Sequence, residues 1–177
     1  MKKALTIVLL FLTFFILYFL QIDFFNWFNI AGIMPNTFVI LILFVGLFAG
    51  RTVGTLIGAV CGFFLDLFIG KYIGPTAILL AIVGFLGGYL DKNFSKDSKL
   101  TIILMVIVTT TIYESLRYII NIYAFKLDVE IVAFIKILLI ELFYQFLLTI
   151  ILYPIIKKAG YAIESIFKGN NILTKYF

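Results

Sequence analysis

Five ionisable side chains lie inside otherwise apolar stretches of this 177-residue sequence: Asp66, Glu114, Arg117, Lys136 and Glu141. A charge at the centre of a bilayer costs at least ~2.5 kcal/mol on insertion scales, so each must face protein, water or an opposite charge. Glu114 and Arg117 stand three residues apart and can pair on one helix face. With Thr110, Tyr118 and Asn121 they recur at spacings of three and four, which makes a polar stripe. Glu141, Gln145 and Thr149 make a second stripe. The expected arrangement is an intramembrane polar seam built on Glu114, Arg117, Glu141 and Gln145. A structural ion-pair network, a ligand pocket and a contact for a partner's helix all remain open for it. Carboxylates such as Asp66 and Glu141 also have the chemistry of a proton relay, but nothing in the sequence aligns them along a path. Lys136, one turn into its segment, is placed to snorkel.

A second pattern surrounds Asp66. Gly46, Gly50, Gly54, Gly58, Gly62, Gly70 and Gly74 fall four residues apart, and the beat without a glycine carries Asp66. Helices in lipid associate through close van der Waals contact, which small residues permit. Gly54, Gly58, Gly62, Asp66, Gly70 and Gly74 are therefore expected to serve helix packing or a partner contact. Gly84, Gly87 and Gly88 offer another small surface. Asp66 falls at the outer end of its stripe, within reach of water or a partner's charge, and is expected as a contact at the mouth of the polar seam.

Several chemistries are excluded. The chain has no histidine and one cysteine, Cys61, so an internal disulfide, a Cys/His metal site and a Ser-His-Asp or Cys-His centre are ruled out. No Walker loop or dinucleotide fingerprint is present; "GLFAGRTVG" has glycines but no strand before it. No enzyme and no cofactor is expected. The net charge of +5 is not a nucleic-acid footprint, because the lysines punctuate hydrophobic runs.

The elements that must position these residues follow from composition. Of the residues, 64% are hydrophobic and only 13% charged, about half the charge of a soluble domain. Lipid must be the solvent for most of that surface. Six apolar segments cover about 4–20, 35–49, 52–69, 74–90, 100–122 and 132–156. The second is shorter than the roughly 20 residues a span requires. The first, behind Met1-Lys2-Lys3, looks like a signal peptide but has no small-x-small site after it, and reads as a retained helix. With the amino terminus cytoplasmic and every segment crossing, ten basic residues fall inside: Lys2, Lys3, Arg51, Lys92, Lys96, Lys99, Lys157, Lys158, Lys168 and Lys175. Only Lys71 and Lys126 fall outside, the asymmetry that the positive-inside rule demands. Phe24, Phe25, Trp27, Phe28, Tyr72, Tyr118 and Tyr123 then lie near outer ends, as an interfacial belt would. The expectation is an all-α polytopic integral membrane protein with six transmembrane helices and both termini cytoplasmic. Residues 1–156 form the membrane domain and 157–177 a short basic tail, which anchors the last helix or lies on the inner leaflet.

Gly58, Gly62, Asp66, Gly70 and Gly74 spell "GxxxGxxxDxxxGxxxG", with Phe64-Leu65-Asp66-Leu67 at its centre. With Pro35-Asn36 at the entry to the second segment, a glycine-rich fourth and a polar fifth, the chain resembles the bacterial rod-shape-determining MreD family. Lys71 and the longer basic tail depart from the family pattern. The resemblance implies a non-enzymatic scaffold subunit of the cell-elongation machinery in the bacterial cytoplasmic (inner) membrane. It would contact the membrane helix of a single-span MreC-like partner and link MreB-like filaments to peptidoglycan synthases. The family is also thought to share an architecture with the substrate-binding subunits of energy-coupling-factor transporters. A vitamin or micronutrient transporter subunit, with the intramembrane charges, which on this topology fall in the outer half or near the midplane, lining a nutrient pocket, is therefore the alternative.

Overall fold

The computed structural model describes residues 2–24, 27, 29, 30, 32–70, 72–94, 96, 98–125 and 130–168. Among them the chain is all-helical, apart from one isolated bridge between Ile30 and Ile33. α1 (Lys2–Phe19) runs into a π-helical turn, Leu20–Phe24. α2 (Thr37–Ala49), α3 (Arg51–Phe68), α4 (Pro75–Asn93), α5 (Lys99–Tyr123) and α6 (Ile131–Phe167) follow. Phe25, Phe28, Lys71, Lys126 and Lys175 lie outside the described residues. Of the expected aromatic belt, Trp27 and Tyr123 are exposed, Tyr72 stacks on Phe125 at 3.8 Å and Tyr118 on Phe134 at 4.4 Å.

Among the described residues the six apolar helices come in the expected order, but five of them are long and apolar enough to cross a membrane. α2, with 13 residues, is the exception. Its length is only ~20 Å against a hydrocarbon core of ~30 Å. Protein replaces lipid around it: every residue of α2 except Leu41 is buried, and Leu43, Leu47 and Phe48 are at the centre of the core. A helix wrapped by other helices need not match the bilayer's thickness. α2 is the hub, touching α3, α4, α5, α6 and α1.

Turn chemistry sets the path. α2 and α3 are joined by Gly50 alone, at φ 97°. That left-handed backbone is open to glycine at little cost. α4 begins behind Gly74 (φ 116°) with Pro75 in its first turn, where a missing N–H is harmless. α3 and α4 form the most extensive helix pair.

One end of the bundle is basic. Arg51, Lys92, Lys96, Lys99 and Lys168 sit at helix ends or turns there, and Lys157 and Lys158 lie within α6 at the same end. Lys3 joins them, because Phe14 and Tyr18, later on α1, pack on Phe38 and Phe68 at the far ends of α2 and α3. α6 does not stop near Ile156, where the last apolar segment was expected to end. It continues as helix through Pro154 to Phe167. The extension folds against the bundle: Gly160 is buried on the Phe48 ring and Tyr161 meets the same ring edge-on. Polar contacts close it. Lys168 donates to the Leu47 carbonyl at 2.8 Å and pairs with Asp91 at 2.6 Å. Lys96 bridges Asp91 and Glu164. Burial pulls the Lys96 ammonium down, but its bonds to the two carboxylates outweigh that and hold it above the ordinary 10.5.

Candidate functional site

The glycine pattern positions backbones. Gly54 faces Gly46 and Gly84; a Cβ added there would stand 2.5 Å from the Gly46 Cα and 2.7 Å from the Gly84 carbonyl oxygen. Gly58 faces Leu80 and Ile42 one turn on, and Gly62 faces Thr76 and Ala77 a turn further. Gly87 and Gly88 lie against Leu43, Gly46 and Arg51. α2, α3 and α4 therefore meet at main-chain distance along a shared seam of glycines. A Cβ on Gly70 would meet only the Asp66 backbone of its own turn, and nothing lies within 4 Å of one on Gly74.

Asp66 closes this seam at the far end. It is 3% exposed, and its carboxylate accepts from the backbone N–H of Gly74 (2.9 Å), Thr76 (3.1 Å) and Ala77 (3.2 Å). Those are the unpaired donors of the first turn of α4. Negative charge at a helix N-terminus also complements the positive end of its dipole. The carboxylate caps α4 from another helix and lies apart from the polar seam.

The seam forms where α5 and α6 meet the start of α2. Glu114 and Glu141 are 5% and 4% exposed, and Gln145 is fully buried. The Glu141 carboxyl reaches that of Glu114, which lies 3.6 Å from the Arg117 guanidinium. Gln145 donates to the Asn36 carbonyl at 2.8 Å, and Thr149 donates back to the Gln145 carbonyl. Glu141, Gln145, Thr149 and Tyr153 succeed one another every four residues on the buried face of α6. On α5 the buried face is instead Thr109, Thr110, Tyr113 and Glu114. Arg117 turns outward with its side chain 55% exposed, and Lys136 is exposed one turn into α6.

The location has a physical cause. Ile42 of α2 is level with Gly58 of α3. Thr37 is then ~7 Å beyond that level, whereas α3 runs on for ~15 Å to Phe68. α2 therefore starts inside the protein, where its first N–H groups have no water. Gln21, from the π-helical turn, accepts from the Thr37 N–H and hydroxyl and donates to the Pro35 carbonyl. Gln145 and Tyr113 attend Asn36. Sequence reasoning missed Gln21, Asn36, Thr109 and Tyr113. For the last two a signal existed, since they continue the buried period of Ile102, Met105 and Val106. Among the described residues, Thr109, Thr110, Glu114 and Gln145 each keep a buried side-chain oxygen without a hydrogen-bond partner. No group of three or more acidic or cysteine side chains suited to a metal occurs among the described residues.

A family model described as rod shape-determining protein MreD matches residues 1–159. No curated protein and no solved structure matches the chain, so the kinship with transporter substrate-binding subunits remains an expectation of the resemblance.

Proposed function

The chain belongs to the MreD family of rod shape-determining membrane proteins, and on that premise we propose that it is a non-catalytic scaffold of the cell-elongation complex. In this reading it sits in the bacterial cytoplasmic membrane with its basic end inside, following the positive-inside rule. It receives the single membrane helix of an MreC-like partner, and through it couples MreB-like filaments to peptidoglycan synthases.

One observation carries the docking site. Arg117 projects from a long apolar helix with its side chain 55% exposed, and its nearest carboxylate is 3.6 Å away. Hydrocarbon is a poor host for a guanidinium, whereas a neighbouring helix that offers an acceptor is a good one. The glycines of α3 are less suited to an external helix, since Gly54, Gly58 and Gly62 already face α2 and α4. The partner helix is accordingly assigned to the α5–α6 side, at the outward edge of the seam.

The test is co-purification of the full chain with an MreC-like partner, wild type against Arg117→Leu. Loss of the partner from a variant that elutes and melts like the wild type supports the reading. Undiminished co-purification removes the Arg117 contact, and normal rod shape in cells depleted of the protein removes the scaffold itself.

A further inference from the structure

Besides Lys3 and Lys92, the basic end carries two groups of lysines with different surroundings. Lys96 and Lys168 are neutralised by Asp91 and Glu164 in holding down the α6 extension. Lys99, Lys157 and Lys158 line a groove of about 560 Å³ between α5 and α6. Neither Lys99 nor Lys158 forms an ion pair among the described residues. Lys99 and Lys157 lie 5.6 and 5.8 Å from the centre of the Tyr153 ring, which gathers two ammonium groups at one place. Farther along the helices from the basic end the groove is lined by Ile103, Ile150 and Pro154. Pro154 has no N–H to donate to the Ile150 carbonyl, so the helix wall is locally loosened there.

We propose that this groove is a binding site for one anionic phospholipid of the leaflet at the basic end. Its phosphate is held by Lys99, Lys157 and Lys158, and an acyl chain lies along Ile103 and Ile150. The fit is one of charge and polarity. Three cations stand at the rim and an apolar wall leads into the hydrocarbon, the form taken by basic pockets between membrane helices that hold anionic headgroups. A general attraction of basic loops to an acidic membrane would engage Lys3 and Lys92 equally. A built site would not. The proposal stands apart from the scaffold reading, since the groove and Arg117 are at opposite ends of α5.

The experiment is native mass spectrometry of the full chain in detergent, titrated with phosphatidylglycerol and, separately, with phosphatidylcholine. The expected result is one phosphatidylglycerol retained in preference to phosphatidylcholine. The Lys99→Gln/Lys157→Gln/Lys158→Gln variant should lose roughly tenfold or more of that affinity. Ile150→Trp, which fills the groove without removing charge, should lose it too, and decides the matter if the triple variant does not fold. Lys3→Gln/Lys92→Gln should retain it. Equal retention of the two lipids, or an equal loss in the Lys3/Lys92 variant, overturns the site in favour of diffuse attraction. Unchanged phosphatidylglycerol binding by Ile150→Trp overturns it as well, and loss of a co-purifying protein from that variant would mark the groove as a partner's seat.

Discussion

The α2–α4 hub and the α5–α6 seam solve the same problem, joining helices without a hydrophobic drive between them, by opposite means. In the hub, glycines bring main chains into contact and the one carboxylate, Asp66, has its hydrogen bonds supplied by α4. In the seam, two carboxyls face one guanidinium, four buried side-chain oxygens keep no hydrogen-bond partner among the described residues, and Arg117 points outward. The hub is closed. The seam has polar capacity left over, which suits a surface completed by assembly. If that contrast is right, hub substitutions damage the fold and seam substitutions damage association.

The largest effect is expected at the hub centre. Gly54→Val would place a Cβ 2.5 Å from the Gly46 Cα and 2.7 Å from the Gly84 oxygen, with only backbone to yield. The three helices must separate, at about 3 kcal/mol or more. Thermal unfolding followed by fluorescence-detected gel filtration should show loss of the monodisperse peak; a near-normal melt would mean that the hub is not tightly packed. Next comes Asp66→Leu, which leaves the half-buried donors at the start of α4 without their carboxylate. It should lower stability by on the order of 3 kcal/mol, whatever it does to assembly. Unchanged stability with failed assembly would return Asp66 to the role of a partner contact.

Arg117→Leu should do the reverse of Gly54→Val. Its effect on the isolated protein's unfolding should stay within about 1 kcal/mol, because the pair it breaks is long and half-exposed. Partner recovery is the quantity that should fall. The smallest effect belongs to Lys96→Gln, which unlatches the α6 extension from Asp91 and Glu164. Because the folded protein holds the Lys96 ammonium above its ordinary 10.5, its contribution is complete below that pH and fades as pH rises through the raised value. Protease cutting within residues 157–168 should therefore increase above about pH 10.5 in the wild type and show no such step in the variant.

Much of this was legible in the residues. The apolar runs located six helices in order, because composition and length alone report what lipid will accept. Of the four-residue glycine beat, Gly46, Gly54, Gly58 and Gly62 lie in close packing between helices while Gly50, Gly70 and Gly74 do not, and the 141–145–149 spacing lies on a buried polar face. The role of α2 was not legible. Thirteen apolar residues look like a poor membrane span until five other helices are seen to surround them. The end of α6 was equally hidden, since Lys157 and Lys158 read as a stop. The contact that keeps the helix going, Gly160 on Phe48, joins residues more than a hundred positions apart.

The sequence by itself determined the class of this protein, the solvent it needs, the chemistry it lacks and the residues that must not face lipid. Those are properties of local composition and period, which a bilayer reads segment by segment. Only the tertiary structure decided which donors Asp66 would meet, which carboxylates Lys96 and Lys168 would pair with, and that the polar seam would attend the buried start of a short central helix. Hydrogen bonds and ion pairs act over a few ångströms, so their partners are chosen by how the helices pack.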